Sequence, residues 1–304
     1  MKLKTKDLLT LNELSKKEIE AIIDDAIKLK KELKSGICKP ILKNKTLAMI
    51  FQKPSTRTRV SFEVGMFQLG GHALNLSSDE LQLSRGETIE DTSKTLSRYV
   101  DIIMARVYSH DEVEILAKNA TVPVINGLSD SFHPCQILSD LMTIKERKKK
   151  LKGLKIAWIG DGNNVCNSMI FGCAKTGIDI SIATPKGYEP DPRVVKESKK
   201  IGTITLVNDP VLAVKEADIV ITDTFVSIHH QVPDRTNDFL LKYQVNSELM
   251  KKADRDAIFL HCLPAKRGQE VTSSVIDGPQ SAVWDQAENR LHAQKSLMIA
   301  LLQV

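Results

Sequence analysis

Apolar side chains recur along this chain at two periods, and the periods alternate. Ile19, Ile22, Ile23 and Ile27 share one helical face; Ser15 and Glu18 stand ahead of them as a capping-box pair, and Gly36 follows as a stop. Thr46–Phe51 (TLAMIF) is a continuous apolar run of strand length. The helical period returns at Val60, Val64 and Phe67, predicting a helix over Val60–Leu69 that Gly70-Gly71 ends. Further segments follow in the same rhythm: a strand at Ala73–Leu76, a helix at Glu87–Tyr99 and a strand at Ile102–Val107. A helix at Asp111–Asn119, a strand at Val122–Ile125 and a helix from near Pro134 to Lys148 complete this half. After the basic stretch KKKLKGLK the rhythm restarts, with strands at Ile156–Ile159, Ile178–Ala183, Thr205–Val207, Ile219–Thr222 and Ile258–Leu260. A helix from about Asn164 to Lys175 lies between the first two of these strands.

Alternating strands and helices imply parallel sheets covered on both faces. Two such runs, joined near residues 145–152, predict two α/β domains with a cleft between them as the default ligand site. A length of 304 residues suits two domains of ordinary size. A hydrophobic content of 42% and a charged content of 27% describe a soluble globular chain. The net charge of +5 suits small anions, and the lysines are too scattered to argue for nucleic acid. No run approaches the length of a membrane span and no signal-peptide core is present, so no membrane association and a cytoplasmic location are expected. The five cysteines form no CxxC pair, which argues against a disulfide framework or a structural zinc site.

FQKPSTRTRVSFEVG (51–65) places Ser55, Thr56, Arg57, Thr58 and Arg59 where a strand hands over to a helix. Unpaired backbone N–H groups at a helix start favour anions, and these side chains add hydroxyl and fork-shaped cationic donors. The alternative is that Ser55 caps the helix and the arginines are solvated. WIGDGNNV (158–165) has Gly160 and Gly162 after a strand. Val165 replaces the third glycine, and Thr184-Pro185 stands where a ribose-binding acid belongs, which disfavours a dinucleotide. Asn163 and Asn164 either offer amides to a polar ligand or cap the next helix. DSFHPCQ (130–136) brings His133, Cys135 and Gln136 to a helix start, and IFLHCLPAKRG (258–268) puts His261 and Cys262 at a strand end. Taken alone, His133 is more often a hydrogen-bonded structural residue and a cysteine at a strand end more often inert packing, and the four together lack metal-ligand spacing.

Taken in order, STRTRVSFE, LSRGETIEDT, MARVYSH, HPCQ, GDGNNV, YQVN, HCLPAKRG and WDQAENRLHAQK resemble the motifs of ornithine carbamoyltransferases, from about residue 45 to the end. The resemblance implies two α/β domains, each a parallel sheet flanked by helices. Residues 1–147 would bind carbamoyl phosphate and 148–287 ornithine, with the helix 288–304 returning to pack on the first domain. It implies that Ser55, Thr56, Arg57 and Thr58 wrap the phosphate and that Arg106 holds phosphate and carbamoyl oxygen. His133 would bind the carbamoyl oxygen and Gln136 the carbamoyl amine, with Cys262, Leu263 and Arg290 completing the site. Gln82 would reach the phosphate from an adjacent subunit, which implies a homotrimer or a higher assembly of trimers. For the second substrate it assigns Asn164, Asp223, Ser227 and the backbone at Ile228 to L-ornithine. Cys262 is the residue given the proton-acceptor role, with Arg106 and His133 as its catalytic partners. No metal or organic cofactor is implied.

One departure stands out. The family's ornithine loop reads Ser-Met-Gly, whereas here it is Ser227-Ile228-His229. A histidine resists the positive φ that a glycine accepts, so this loop bears on the amine substrate and leaves the phosphate half untouched. The rival readings are a carbamoyltransferase for another amine such as putrescine and, from another class, a nucleotide-binding dehydrogenase.

Overall fold

The alternating pattern folds into two parallel sheets in a computed structural model that describes residues 3–225, 236–240 and 242–303. The chain divides into two compact units, Met1–Met142 with Glu288–Val304, and Thr143–Ala287. Among the described residues no helix is long and apolar enough to cross a membrane, and all five cysteines are free thiols.

The first unit holds β1 (Thr46–Phe51), β2 (His72–Ser77), β3 (Ile102–Arg106) and β4 (Val124–Leu128), parallel and in the order β2-β1-β3-β4. The inner strands are buried along nearly their whole length, which is why their sequences read as unbroken apolar runs, while edge strand β2 stays partly exposed. Around them lie α1 (Lys16–Lys34), α2 (Thr56–Gln68), α3 (Ile89–Leu96), α4 (His110–Asn119) and α5 (Pro134–Lys148). The Ser15–Glu18 capping box opens α1. Helix α3 is shorter at both ends than its apolar period suggests; at its start the Thr88 hydroxyl accepts the Asp91 N–H at 3.1 Å and sets the first turn. Helix α2 differs more. It begins four residues early, and Val60 and Phe67 are its exposed side, at 52% and 79% accessibility. Its buried side is Thr58, Phe62, Gly65 and Met66. A count of apolar residues passes over Gly65, yet a Cβ there would lie 3.3 Å from Lys295 Cγ, so the missing side chain is what lets the C-terminal helix approach.

The second unit holds β5 (Lys155–Ile159), β6 (Asp179–Ala183), β7 (Ile204–Val207), β8 (Ile219–Thr222) and β9 (Ile258–His261), parallel in the order β7-β6-β5-β8-β9. Its long helix is α6 (Asn164–Thr176). The shorter α7 (Pro192–Ser198), α8 (Pro210–Val214), α9 (Asn237–Leu240), α10 (Ser247–Met250) and α11 (Ser273–Ile276) hold too few turns to show a period in sequence. The last helix, α12 (Val283–Leu302), starts five residues before the expected Glu288. From Glu288 onward it belongs to the first unit, where buried Lys30 of α1 donates to Asn289 Oδ1 at 2.7 Å.

Strand register decides which residues meet. In the first sheet Phe51 lies opposite Arg106, so the loop after β1 and the end of β3 emerge side by side. In the second, Ile159 pairs with Thr222 and Thr222 with His261, so β5, β8 and β9 end at one level. Both candidate site halves lie at such C-terminal edges, where open α/β sheets place ligands.

Candidate functional site

The first unit gathers cations around one hydroxyl. Thr58, in the first turn of α2, is 1% exposed, and its Oγ1 accepts from Arg106 Nη1 at 3.4 Å and Arg290 Nη2 at 3.3 Å. Arg106 arrives from the end of β3 and Arg290 from α12. Arg290 also donates to Gln136 Oε1 at 2.7 Å, and its Nη1 lies 3.5 Å from His133 Nε2. Gln294, with its amide oxygen turned toward Arg290, accepts from Nε and Nη2 at 3.1 and 3.0 Å. Gln136 passes the network on, donating to Asp140 Oδ1 at 2.8 Å. Two buried guanidiniums that share one neutral acceptor repel each other, and an anion among them relieves that repulsion. Arg106, Thr58, His133, Gln136 and Arg290, five of the residues singled out in sequence, thus form one buried cluster.

The remaining residues of that set are placed differently. Ser55 is the N-cap of α2, but its side chain makes no capping bond, so the helix start is not closed from within. Ser55 and Arg57 are half-buried and Thr56 is exposed, all on the first turn. Gln82 is exposed on a short 3-10 helix, Gln82–Arg85, and forms none of the cluster's hydrogen bonds. Lys53 was not anticipated. It is 6% exposed, with Nζ 4.0 Å from the centre of the Tyr108 ring, and burial, aided by the Arg106 charge, lowers its pKa. The only sequence signal was its place two residues before Ser55. Cys135, within the same HPCQ segment, is fully buried with its thiol pushed up to about 12 by desolvation, which makes it a packing residue.

The second unit builds a relay of polar groups. Asn163, the N-cap of α6, accepts the Val165 and Cys166 N–H groups on Oδ1 and donates through Nδ2 to Asp223 Oδ2 at 2.8 Å. Asp223, just past β8, turns its other oxygen to the Thr224 N–H at 2.8 Å and to the Cys262 thiol, which donates at 3.1 Å. For Asn163 the capping reading holds, and the same amide also orients the Asp223 carboxylate. Asn164, the first residue of α6, is buried. Gly162 serves packing in place of a phosphate turn, since a Cβ there would meet Pro190 N at 2.2 Å. Leu263 follows Cys262 in the left-handed region (φ 59°), its N–H held by His261 Nδ1 at 2.9 Å. Ser227, Ile228 and His229 lie outside the described residues.

Asp223, His261 and Cys262 bring one donor atom each within 4.8 Å of one another. Both His261 nitrogens are already engaged, with Leu263 N and with Glu270 Oε1 at 3.2 Å, so a metal would have to displace one of these bonds. The donors are arranged as a hydrogen-bonded relay.

The chain matches two family descriptions. Residues 6–146 match "Aspartate/ornithine carbamoyltransferase, carbamoyl-P binding domain", and residues 152–301 match the corresponding "Asp/Orn binding domain". An ornithine carbamoyltransferase of Cenarchaeum symbiosum is 63% identical over 301 residues, covering 99% of each chain. One from Carboxydothermus hydrogenoformans is 56% identical over 98% of this chain and 97% of its own. The solved ornithine carbamoyltransferase of Pyrococcus furiosus superposes with a TM-score of 0.94 at 54% identity, over 98% of this chain and 97% of that one.

Proposed function

The chain belongs to the aspartate/ornithine carbamoyltransferase family, and on that premise we propose that it transfers the carbamoyl group of carbamoyl phosphate to the δ-amine of L-ornithine, giving L-citrulline and phosphate. The observation that carries the reading is the Asn163–Asp223–Cys262 relay at the edge of the second sheet, which suits an amine nucleophile. The first unit supplies the anion half. Ser55, Thr56, Arg57 and Thr58 take the phosphate at an α2 start whose cap Ser55 leaves open, and Arg106 bridges phosphate and carbamoyl oxygen. His133 takes the carbamoyl oxygen and Gln136 its amine, while Leu263 and Arg290 complete the site.

A neutral amine must attack the carbamoyl carbon. The Cys262 thiol donates its hydrogen to Asp223, which leaves the sulfur lone pairs to accept from the δ-ammonium. As the N–C bond forms, charge grows on the carbamoyl oxygen and leaves with phosphate when the C–O bond breaks. Arg57, Arg106 and His133 are donors set in place before that charge appears. Asn164, Asp223 and the loop carrying Ser227 and Ile228 bind the amino-acid end of ornithine. The reaction is assigned no metal and no organic cofactor. Gln82, exposed within its own chain, reaches the phosphate site of a neighbouring subunit in a trimer, and the location is cytoplasmic.

The test is a panel of amine acceptors (ornithine, putrescine, lysine) at saturating carbamoyl phosphate. Ornithine is expected to win by tens- to hundreds-fold, because putrescine leaves the groups meant for its carboxylate unpaired, each at about 1–3 kcal/mol. Putrescine equal to or better than ornithine overturns the acceptor and leaves carbamoyl transfer standing.

A further inference from the structure

Among the groups that the proposed reaction does not use, one pair is wholly buried: His261 and Glu270, whose side chains are both inaccessible. His261 ends β9, directly before Cys262. Its backbone N–H donates to Gln286 Oε1 at 2.9 Å, which fixes where the residue sits. Its ring is then used at both nitrogens. Nδ1 lies 2.9 Å from the Leu263 N–H and Nε2 lies 3.2 Å from Glu270 Oε1. The same carboxylate oxygen accepts the Lys266 N–H, tying down the far side of the turn, while Glu270 Oε2 has no partner among the described residues.

A backbone N–H can only donate, so Nδ1 must be bare, and the proton of the neutral ring is on Nε2, aimed at the carboxylate. The other tautomer would set two hydrogens against each other at Leu263 and a lone pair against Glu270. Glu270 therefore selects the tautomer, as a carboxylate behind a functional imidazole does elsewhere. What that tautomer holds is the Leu263 backbone in a left-handed conformation, one that a β-carbon resists. This turn aims the preceding thiol at Asp223. With both nitrogens engaged, the ring has no free atom for the thiol.

We propose that His261 and Glu270 are positioning residues for the transfer reaction: together they fix the turn at Leu263, and through it the orientation of the Cys262 thiol. The inference rests on the carbamoyl-transfer reading for its kinetic test and on geometry alone for its spectroscopic one.

Two substitutions separate the atoms of the ring. In His261→Asn the amide oxygen stands near the position of Nδ1 and can accept the Leu263 N–H; in His261→Gln the amide reaches the position of Nε2 and leaves that N–H without its acceptor. Citrulline formation by the full chain is expected to keep kcat within about tenfold in His261→Asn and to lose about a hundredfold in His261→Gln, the scale of a misplaced reacting group. KM for carbamoyl phosphate should move less than kcat, and the two variants should melt together. Glu270→Leu is expected to follow His261→Gln, and Glu270→Gln, which keeps an acceptor oxygen, to fall between. Equal kcat in the two His261 variants, or kcat that tracks melting temperature, overturns the proposal. Nitrogen-15 imidazole spectra of the wild-type protein read the tautomer without turnover, and a proton on Nδ1 of His261 overturns it as well. A wild type that makes no citrulline counts against the proposed reaction instead, and the spectra still decide this point.

Discussion

The two sheet edges solve different electrostatic problems. In the first unit, Arg106 and Arg290 converge on one Thr58 hydroxyl with Lys53 behind them, so charge is concentrated before any ligand arrives. In the second, no cation joins the relay among the described residues; Asn163, Asp223 and Cys262 pass hydrogen bonds along a line, and backbone groups fix their directions. In the proposed reaction the first edge holds an anion and the second moves a proton. Strength in one comes from the number of donors; in the other it comes from the aim of each.

The sharpest way to break this contrast is to remove a cation from the first edge. Arg106→Ala should cost about 3–4 kcal/mol, a loss of roughly 150- to 1,000-fold in kcat/KM for carbamoyl phosphate. Steady-state kinetics at limiting carbamoyl phosphate check it, and near wild-type turnover there would remove Arg106 from the site. Asp223→Asn probes the second edge at nearly the same scale. It preserves shape but not the proton relay, so kcat should fall about a hundredfold while KM for carbamoyl phosphate stays within threefold. A change in that KM as large as the change in kcat would merge the two edges into one.

A third measurement uses pH on the scaffold of the cation edge. His292, two residues after Arg290 on α12, is 1% exposed, and burial, reinforced by the Lys295 charge, lowers its pKa to about 4. Above pH 6.5 the ring is neutral in both folded and unfolded chains and contributes no pH dependence. Between 6.5 and 4 the unfolded chain binds a proton that the folded one refuses, so stability falls with pH, by about 2 kcal/mol from this group between pH 7 and 5. Denaturant unfolding of His292→Gln should show a correspondingly shallower loss, and an identical slope in the variant would exclude the effect. The smallest effect separates the two duties of Asn163. Asn163→Ala should lose about 1 kcal/mol of stability with the cap and about tenfold in kcat. Asn163→Ser should regain the stability, since a hydroxyl still caps, yet stay slow, since it cannot reach Asp223. Recovery of both would mean that the cap is all Asn163 provides.

Sequence carried the sheet strands well, because a strand buried on both faces reads as an apolar run wherever it occurs. It also pointed to members of the cation edge: Thr58 stood out in a dense run of donors and His133 and Gln136 in one short motif, while Arg106 and Arg290 came only from the family resemblance. It carried the relay edge less completely. Asn163 and Asn164 stood out together, but not which of them meets Asp223: Asn163 caps with its amide oxygen and contacts the carboxylate with its amide nitrogen, and only the fold brings Asp223 within its reach. Lys53 gave no periodic or motif signal of its own, and its burial is a tertiary fact. The face of α2 was misjudged because Gly65, which faces α12, counts for nothing on an apolar scale.

The division of the chain has a consequence for how it is made. The first unit is not a continuous stretch: residues 288–304 return to it after the whole of Thr143–Ala287 has intervened. Domains commonly fold in order as they leave the ribosome. Here that order is interrupted, because the unit begun first lacks Arg290 and the Lys30–Asn289 bond until the final helix has been synthesised. A nascent chain halted at residue 287 carries the whole of the second unit but only part of the cation cluster. The meeting of both guanidiniums at Thr58 is thus possible only after the whole of the second unit has been synthesised.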